Sequence, residues 1–102
     1  VSRAGPERGI LDSGSKTLTS DHFGLPGYGY IMEYPQAVID KLAEEHGFLN
    51  LARCKVKPAV GDVLRIIPNH VCVCVNMFDE IIAVRDGDII DIIPVLARGK
   101  LV

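Results

Sequence analysis

The segment from Pro68 to Asn76 carries the residues best suited to chemistry. It reads PNHVCVCVN, and His70 and Cys72 are two positions apart. In an extended strand both side chains project from one face, which brings an imidazole and a thiolate together. Zinc favours these two ligands, and a site with only two protein ligands stays open to water or substrate. The spacing therefore predicts an open zinc site at His70 and Cys72.

The same segment supports a plainer interpretation, in which residues 71–75 form a buried strand. Alternating valines and cysteines are typical of such a strand, because free cysteine is among the most buried residue types. His70 would then simply follow a turn. Both interpretations stay open on the residues alone, since H-x-C is a short motif. Cys74 is left out of the site because it swings away from His70 if the chain turns helical after Asn69.

Other reactive residues are weaker candidates, and none is assigned a catalytic role. His46 follows two glutamates that could orient its imidazole, but a solvated turn is the favoured interpretation. His22 lies in a glycine-rich loop from which it could reach a site. Cys54 is predicted to be a lone thiol, exposed or in the core, and no function is assigned to it. Lys16 lies in Gly-Ser-Lys-Thr without the spacing of a phosphate-binding loop, which excludes nucleotide binding by that route.

The elements that must position these residues are predicted to be mainly strands. Residues 12–30 are rich in Gly, Ser and Thr and are expected to form a long ordered loop. Residues 63–67 are an apolar run between turn residues and predict a strand. Residues 81–84 and 89–93 flank an Asp-Gly pair, which is the strongest short-range signal for a hairpin. Within the second of these strands Asp91 is expected on the solvent face or at a bulge, with Ile90 and Ile92 facing inward.

The segment 38–47 is ambiguous between a helix and a strand. Its apolar residues follow a helical spacing up to Gly47, but a helix of about ten residues is marginal without packing. Several short strands, one long loop and at most one short helix predict a small, mainly antiparallel β-barrel or sandwich.

Length and composition restrict the class of protein. The chain has 102 residues, 48% of them hydrophobic, with 11 Lys+Arg against 13 Asp+Glu. This length suits a single domain over residues 1–102 and falls far short of the ~250 residues of a (β/α)8 barrel. The near-neutral charge predicts no nucleic-acid partner, and no apolar run approaches the ~20 residues that cross a membrane. The first residues do not resemble a signal peptide, so a cytoplasmic location with free cysteine thiols is expected.

Four landmarks along the chain resemble those of the C-terminal domain of the D-serine dehydratase and D-threonine aldolase family. Their order matches as well as their content, and Pro-Asn-His-x-Cys after a strand is the most specific of them. The landmarks are DSGSKTLTSD at 12–21, EEHG at 44–47, VLRIIPNHVC at 63–72 and ARGK at 97–100.

This resemblance implies an enzyme that uses pyridoxal phosphate and is built on an alanine-racemase-like plan. An N-terminal (β/α)8 barrel, absent from this chain, would hold the cofactor lysine, and the C-terminal β domain would supply the metal. The family's zinc ligands carry over onto His70 and Cys72. The implied partners are the barrel domain of the same enzyme, a second subunit in a homodimer and a small D-amino-acid substrate. The resemblance also favours a strand over residues 38–46.

The resemblance further implies a lyase reaction in which the metal engages the substrate's β-hydroxyl. Family aldolases carry a carboxylate as the second ligand, so Cys72 favours β-elimination of the D-serine dehydratase type over retro-aldol cleavage. The isolated chain is expected to be inactive, because Lys16 does not match the cofactor lysine. His46 and residues 12–21 are expected to line or support the pocket. The alternative outside enzymology is a non-catalytic β domain that binds metal or mediates an interface.

Overall fold

The structure is a computed structural model that describes residues 1–102. It contains eight short strands and two short helices. In chain order these are β1 Ser2–Gly5, β2 Arg8–Leu11, α1 Ser15–Leu18, β3 Tyr30–Ile31, β4 Val38–Leu42, β5 Gly47–Asn50, β6 Ile66–Ile67, α2 Val71–Asn76, β7 Glu80–Arg85 and β8 Asp88–Pro94.

The largest sheet has four antiparallel strands in the order β1-β2-β5-β4. Side chains alternate between its two faces, so Gly47 and Leu49 of β5 are buried whereas Asn50 is exposed. Leu49 pairs with Gly9 of β2 and with Ile39 of β4. Strand β5 therefore lies in the middle of the sheet, and its apolar residues face the core.

The core lies against one face of this sheet. Leu49, Ile39 and Leu51 are fully buried, and Ile31 of β3 closes the cluster from the neighbouring two-stranded sheet formed by β3 and β6. Cys54 is also buried in this cluster. The sequence left open whether this thiol is exposed or in the core, and the structure places it in the core.

The mainly β, antiparallel fold is confirmed, but the three sheets do not close into a barrel. Segment 38–46 contains strand β4 and the turn that follows it, as the resemblance favoured. The helical spacing there is overridden because pairing with β5 supplies the backbone hydrogen bonds. The strand predicted over 63–67 is shorter, because only Ile66 and Ile67 pair with β3.

The predicted hairpin is confirmed. Strands β7 and β8 pair through a turn in which Asp86 and Gly87 have φ values of 52° and 84°. Two successive positive φ values are the requirement that Asp-Gly satisfies. A register shift places Asp91 opposite Ala83, so Asp91 lies beside a bulge as expected.

The expectation that Ile90 and Ile92 face inward is wrong. Both side chains are about half exposed, at 52% and 53%. The hairpin forms a separate two-stranded sheet, and no other sheet lies over it. Alternation along a strand fixes which residues share a face, but it does not provide the layer that would bury that face.

The long loop predicted over residues 12–30 is largely irregular, as expected, but it contains helix α1 and ends in β3. The N–H groups of Ser15 and Lys16 donate to the carbonyls of Ala43 and Glu44 at 2.9 and 3.2 Å. The turn after β4 therefore satisfies the first donors of α1, which no helical carbonyl can reach. Neither helix has the length and apolar character needed to cross a bilayer.

Candidate metal centre

The structure places His70 and Cys72 at the start of a helix, and the predicted extended geometry is wrong. His70 has extended backbone angles, with φ −141° and ψ 109°, and is the residue that precedes α2. Cys72 lies in the first turn of α2 and is exposed. A strand over 71–76 would need a pairing partner, and the three sheets provide none, so the segment forms its backbone hydrogen bonds within a helix instead.

His70 makes its main polar contact with Asp21. The Nδ1 atom of His70 lies 2.5 Å from the Oδ2 atom of Asp21, across 49 positions of sequence. This hydrogen bond lowers the pKa of the Asp21 carboxyl, although partial burial acts in the opposite direction. An ionised carboxylate only accepts hydrogen bonds, so Nδ1 carries the proton and donates it. In the neutral ring of this tautomer, the Nε2 atom keeps a lone pair that could bind a metal.

Asp21 is held in place by a strained segment. Thr19 is 3% exposed and has a φ of 65°, which is costly for a β-branched residue. Its Oγ1 atom accepts a hydrogen bond from the N–H of Asp21 at 3.2 Å. The surrounding packing therefore fixes the backbone immediately before Asp21.

Asn69 ties the loop that carries Asp21 to the segment that carries His70. Its Nδ2 atom donates to the carbonyl of Asp21 at 3.0 Å and to the carbonyl of Gly27 at 2.8 Å. Phe23 lies edge-on to the His70 ring with 5.9 Å between the ring centroids. Asn69 and Phe23 thus restrict the movement of the loop relative to the imidazole.

His22 and His46 take no part in this arrangement. The ring of His22 packs against Tyr28, with 5.0 Å between centroids. His46 lies exposed in the turn between β4 and β5, where its carbonyl accepts from the N–H of Ala43 at 2.8 Å. The position of His46 agrees with its interpretation as part of a solvated turn.

The two cysteines of α2 have different environments. The Sγ atom of Cys74 donates to the carbonyl of His70 at 3.3 Å, and partial burial raises the pKa of this thiol. Cys72 is exposed and has no hydrogen bond of this kind. Cys74 therefore stays a neutral thiol bonded to its own helix, whereas Cys72 is free to ligate.

These donors suit an open zinc site. An imidazole with its Nε2 atom free and an exposed thiol are two of the ligand types zinc prefers. No group of three or more His, Cys, Asp or Glu residues in the chain is arranged to hold a metal. Two donors are half of a tetrahedral set, so a zinc ion held by them would need its remaining ligands from water, substrate or another domain.

Lys16 is not suited to the covalent attachment of pyridoxal phosphate. The ammonium of Lys16 lies 2.5 Å from a carboxylate oxygen of Glu45 and 3.4 Å from one of Glu44. The hydrogen bond to Glu45 and its charge raise the pKa of Lys16. An ammonium held by two carboxylates is a poor nucleophile, so Lys16 does not fit the cofactor's covalent attachment.

A cavity lies beside the first part of the segment 12–21 and does not include the His70 and Cys72 side chains. It has a volume of about 530 Å³ and is lined by Asp12, Ser13 and Thr17 together with residues from the chain's N-terminus and from 61–66. Neither His70 nor Cys72 lines it. Within the landmark at 12–21, Asp21 alone contacts His70, while the residues before it line a separate cavity.

Sequence reasoning did not assign roles to Asp21 and Asn69. Both belong to landmarks that it did identify, since Asp21 ends DSGSKTLTSD and Asn69 precedes His70 in Pro-Asn-His. A polar residue next to a metal ligand is a usable signal, because ligating histidines commonly donate their second N–H to a carboxylate. The separation of 49 positions between Asp21 and His70 concealed this pairing from local sequence patterns.

Comparison with known proteins identifies the family. Residues 1–84 match the model described as "Putative serine dehydratase domain". The chain belongs to this family.

The relatives differ in length. An uncharacterised protein of Mycobacterium tuberculosis (strain ATCC 25618 / H37Rv) is 41% identical over 99 residues, which are 96% of this chain and 74% of that protein. A D-threonine aldolase of Arthrobacter sp. is 35% identical over 104 residues, covering 97% of this chain and 25% of the aldolase. This chain thus spans most of the first relative and a quarter of the second.

A solved structure shows the same fold. The crystal structure of D-threonine aldolase from Filomicrobium marinum superposes with a TM-score of 0.84 at 30% identity, over 99% of this chain and 27% of the aldolase chain. The match extends over nearly every element described above, including the exposed hairpin. The domain therefore recurs as one part of a larger enzyme.

Proposed function

We propose that this chain is the metal-holding β domain of a zinc- and pyridoxal-phosphate-dependent lyase acting on D-3-hydroxy amino acids, of the D-serine dehydratase type. Membership of the family and the fold shared with a D-threonine aldolase support the lyase class. The presence of Cys72 supports the dehydratase type. The single observation that carries the zinc site is the 2.5 Å contact between His70 and Asp21, which leaves Nε2 free on the residue that precedes the helix with the exposed Cys72 thiol.

When bound, zinc would supply Lewis-acid polarisation of the substrate's hydroxyl, and pyridoxal phosphate would supply an electron sink for the α-carbon. His70 and Cys72 would hold the metal. Asp21 would keep the proton on Nδ1 and so keep Nε2 directed to the metal. Asn69 and Phe23 would limit motion of the loop, and the exposure of Cys72 leaves room for substrate. The cofactor would be held by a barrel domain outside this chain, in a cytoplasmic homodimer.

Zinc content tests the site directly. We expect the purified chain to retain about one zinc per molecule, and His70→Ala and Cys72→Ala to lose it, because each removes one of two ligands. Elemental analysis after dialysis against a weak chelator measures this. Cys74→Ala is the matched control, since that thiol lies on the same helix and donates to the His70 carbonyl. Wild-type protein without zinc would contradict His70 and Cys72 as ligands of the isolated chain, and zinc loss in Cys74→Ala would contradict the choice of Cys72.

Asp21 is predicted to be a positioning residue for the metal. Replacing it with alanine frees Nδ1 and lets the imidazole rotate and change tautomer, so zinc affinity should fall about 10- to 100-fold. Competition with a zinc indicator measures the affinity. Asp12→Ala removes a carboxylate from the same landmark without touching His70 and should leave the affinity unchanged. Equal affinities for the wild type and Asp21→Ala would show that the contact does not act on the metal.

Retro-aldol cleavage is the second candidate reaction. Its support is the likeness to two D-threonine aldolases, at 35% and 30% identity. The two reactions are separated by their products in the polypeptide that joins this domain to a cofactor barrel. Pyruvate and ammonia from D-serine would indicate elimination, whereas glycine and acetaldehyde from D-threonine would indicate aldol cleavage.

A non-catalytic metal-binding domain is the third candidate. Its support is the M. tuberculosis relative, because 99 residues make up 74% of it and a (β/α)8 barrel alone needs ~250 residues. A zinc-loaded chain whose polypeptide releases neither pair of products would favour this candidate.

A further inference from the structure

Phe23 is an exposed aromatic residue in contact with the candidate metal ligand His70. The residue is 68% exposed, and its ring lies edge-on to the imidazole with 5.9 Å between the ring centroids. The His70 side chain is itself 37% exposed. Because both rings reach solvent and contact each other, they border the same opening. A substrate that approaches a metal on His70 from solvent meets the Phe23 ring there.

The backbone holds Phe23 in a costly conformation. The carbonyl of His22 accepts from the N–H of Leu25 at 2.9 Å, which closes a turn with Phe23 and Gly24 at its centre. Their φ values are 51° and 72°. Asn-Gly is the favoured pair for two successive positive φ values, and such a value is costly for a bulky residue. Backbone strain of this kind clusters at functional sites, so the exposed ring is a candidate for contact with a ligand.

Hydrogen bonds on either side of this turn fix it to the metal centre. The carbonyls of Asp21 and Gly27 accept from the same side-chain amide, that of Asn69, at 3.0 and 2.8 Å. The Asp21 carboxylate also accepts from Nδ1 of His70. Since Asn69 directly precedes His70, the turn and the imidazole are held by one short segment. The Phe23 ring therefore keeps its place relative to the imidazole.

We propose that Phe23 is a specificity-determining residue, whose ring forms the wall against which the substituent on the substrate's β-carbon lies. The proposal rests on the proposed function, in which a metal on His70 engages the substrate's β-hydroxyl. The β-carbon is one bond away from that hydroxyl oxygen, so its remaining substituent lies close to His70 and to the ring in contact with it. The assignment applies equally to elimination and to aldol cleavage, because both begin with the same bound substrate.

The chemistry of this wall selects among β-substituents. A phenyl ring provides apolar contact and no hydrogen-bond donor, so a methyl group gains from it whereas a carboxylate loses water without compensation. The charged group next to the ring is the Asp21 carboxylate, which repels a second carboxylate. We therefore expect substrates with hydrogen or methyl on the β-carbon, such as D-serine and D-threonine, to be preferred over D-threo-3-hydroxyaspartate.

The test variant is Phe23→Asn, because Asn-Gly keeps the turn while a polar amide replaces the ring. D-threonine and D-threo-3-hydroxyaspartate differ in a methyl or a carboxylate on the β-carbon. NMR titration of the zinc-loaded chain without pyridoxal phosphate gives both dissociation constants, since neither compound can then react. We expect Phe23→Asn to shift their ratio at least about tenfold towards D-threo-3-hydroxyaspartate, because the methyl loses apolar contact and the carboxylate gains an N–H donor.

Phe78→Asn is the matched control. Phe78 is 47% exposed and lies beyond the end of α2 that is remote from His70. The same change of side chain there should move the ratio less than about twofold. Thermal unfolding is the second readout. Phe23→Asn should raise Tm, because asparagine tolerates the positive φ and an exposed ring contributes little burial.

Each outcome decides the matter. An unchanged ratio in Phe23→Asn with zinc still bound would refute the wall and leave the proposed function standing. An equal shift in Phe78→Asn, zinc loss confined to Phe23→Asn, or a fall in its Tm of more than about 5 °C would also refute the wall, because the ring would then act on the surface, the metal or the fold. A wild-type chain that holds no zinc, or that binds neither compound when zinc is present, would overturn the inference together with the metal centre on which it rests.

Discussion

Substitution of Gly14 by alanine is expected to destabilise the fold by about 3 kcal/mol or more. Gly14 is buried where α1 meets the turn after β4. A Cβ at this position would lie closer than 3.0 Å to backbone atoms of Ala43 and Glu44. Those carbonyls accept from the first N–H groups of α1, so the clash cannot be relieved without breaking these bonds. The cost comes from forced separation of α1 from the turn.

Urea or thermal unfolding measures the effect of Gly14→Ala. A loss of about 3 kcal/mol corresponds to a fall in Tm of roughly 12 °C or more for a domain of this size. Gly5→Ala is the control, because a Cβ there meets nothing within 4 Å. It should change the free energy of unfolding by less than about 0.5 kcal/mol. Similar stability losses for the two variants would mean that the close approach at Gly14 is not what holds α1.

Replacing Leu49 with alanine is expected to cost about 3 to 5 kcal/mol. Leu49 is fully buried on the central strand β5 and contacts the core from the middle of the four-stranded sheet. The missing side chain of Gly9 on β2 leaves the space that Leu49 fills, since a Cβ on Gly9 would lie 3.1 Å from Leu49 Cδ1. Truncation therefore leaves a cavity that the neighbouring strands cannot close.

Leu96→Ala is the matched comparison for Leu49→Ala. It removes the same atoms from a side chain that is 84% exposed, so the free energy of unfolding should change by less than about 0.5 kcal/mol. Denaturant titration of both variants at one temperature gives the difference. A loss at Leu49 below about 1.5 kcal/mol would indicate that the core repacks around the cavity.

The contact at Gly14 connects the fold to the candidate metal centre. The missing side chain of Gly14 lets α1 pack against the turn at 43–44. After α1 the chain passes through the strained Thr19 and reaches Asp21 two residues later. A change that moves α1 away from the turn at 43–44 should therefore displace Asp21 from His70 as well. The landmarks at 12–21 and 44–47 meet at this contact, which explains why residues so far apart in sequence belong to one pattern.

Local patterns predicted the elements whose conformation depends on neighbouring residues. The Asp-Gly pair predicted the β7–β8 turn, because few other residues accept two positive φ values. The sequence also predicted a mainly antiparallel fold. It could not decide between helix and strand at 38–46, since that choice depended on the presence of β5 as a pairing partner.

The sequence by itself determined which donors the site has to offer: an imidazole at His70 and a thiol at Cys72, in the order and context of one family. Only the tertiary structure decided how they are presented. Residues 71–76 form a helix because no strand is positioned to pair with them. The tertiary structure also brought Asp21 to His70 across 49 positions of sequence. This contact depends on the packing of α1 against the turn after β4 and on the hydrogen bonds of Asn69, and not on any local preference. Residue chemistry is local, whereas the orientation of a ligand depends on packing between distant segments.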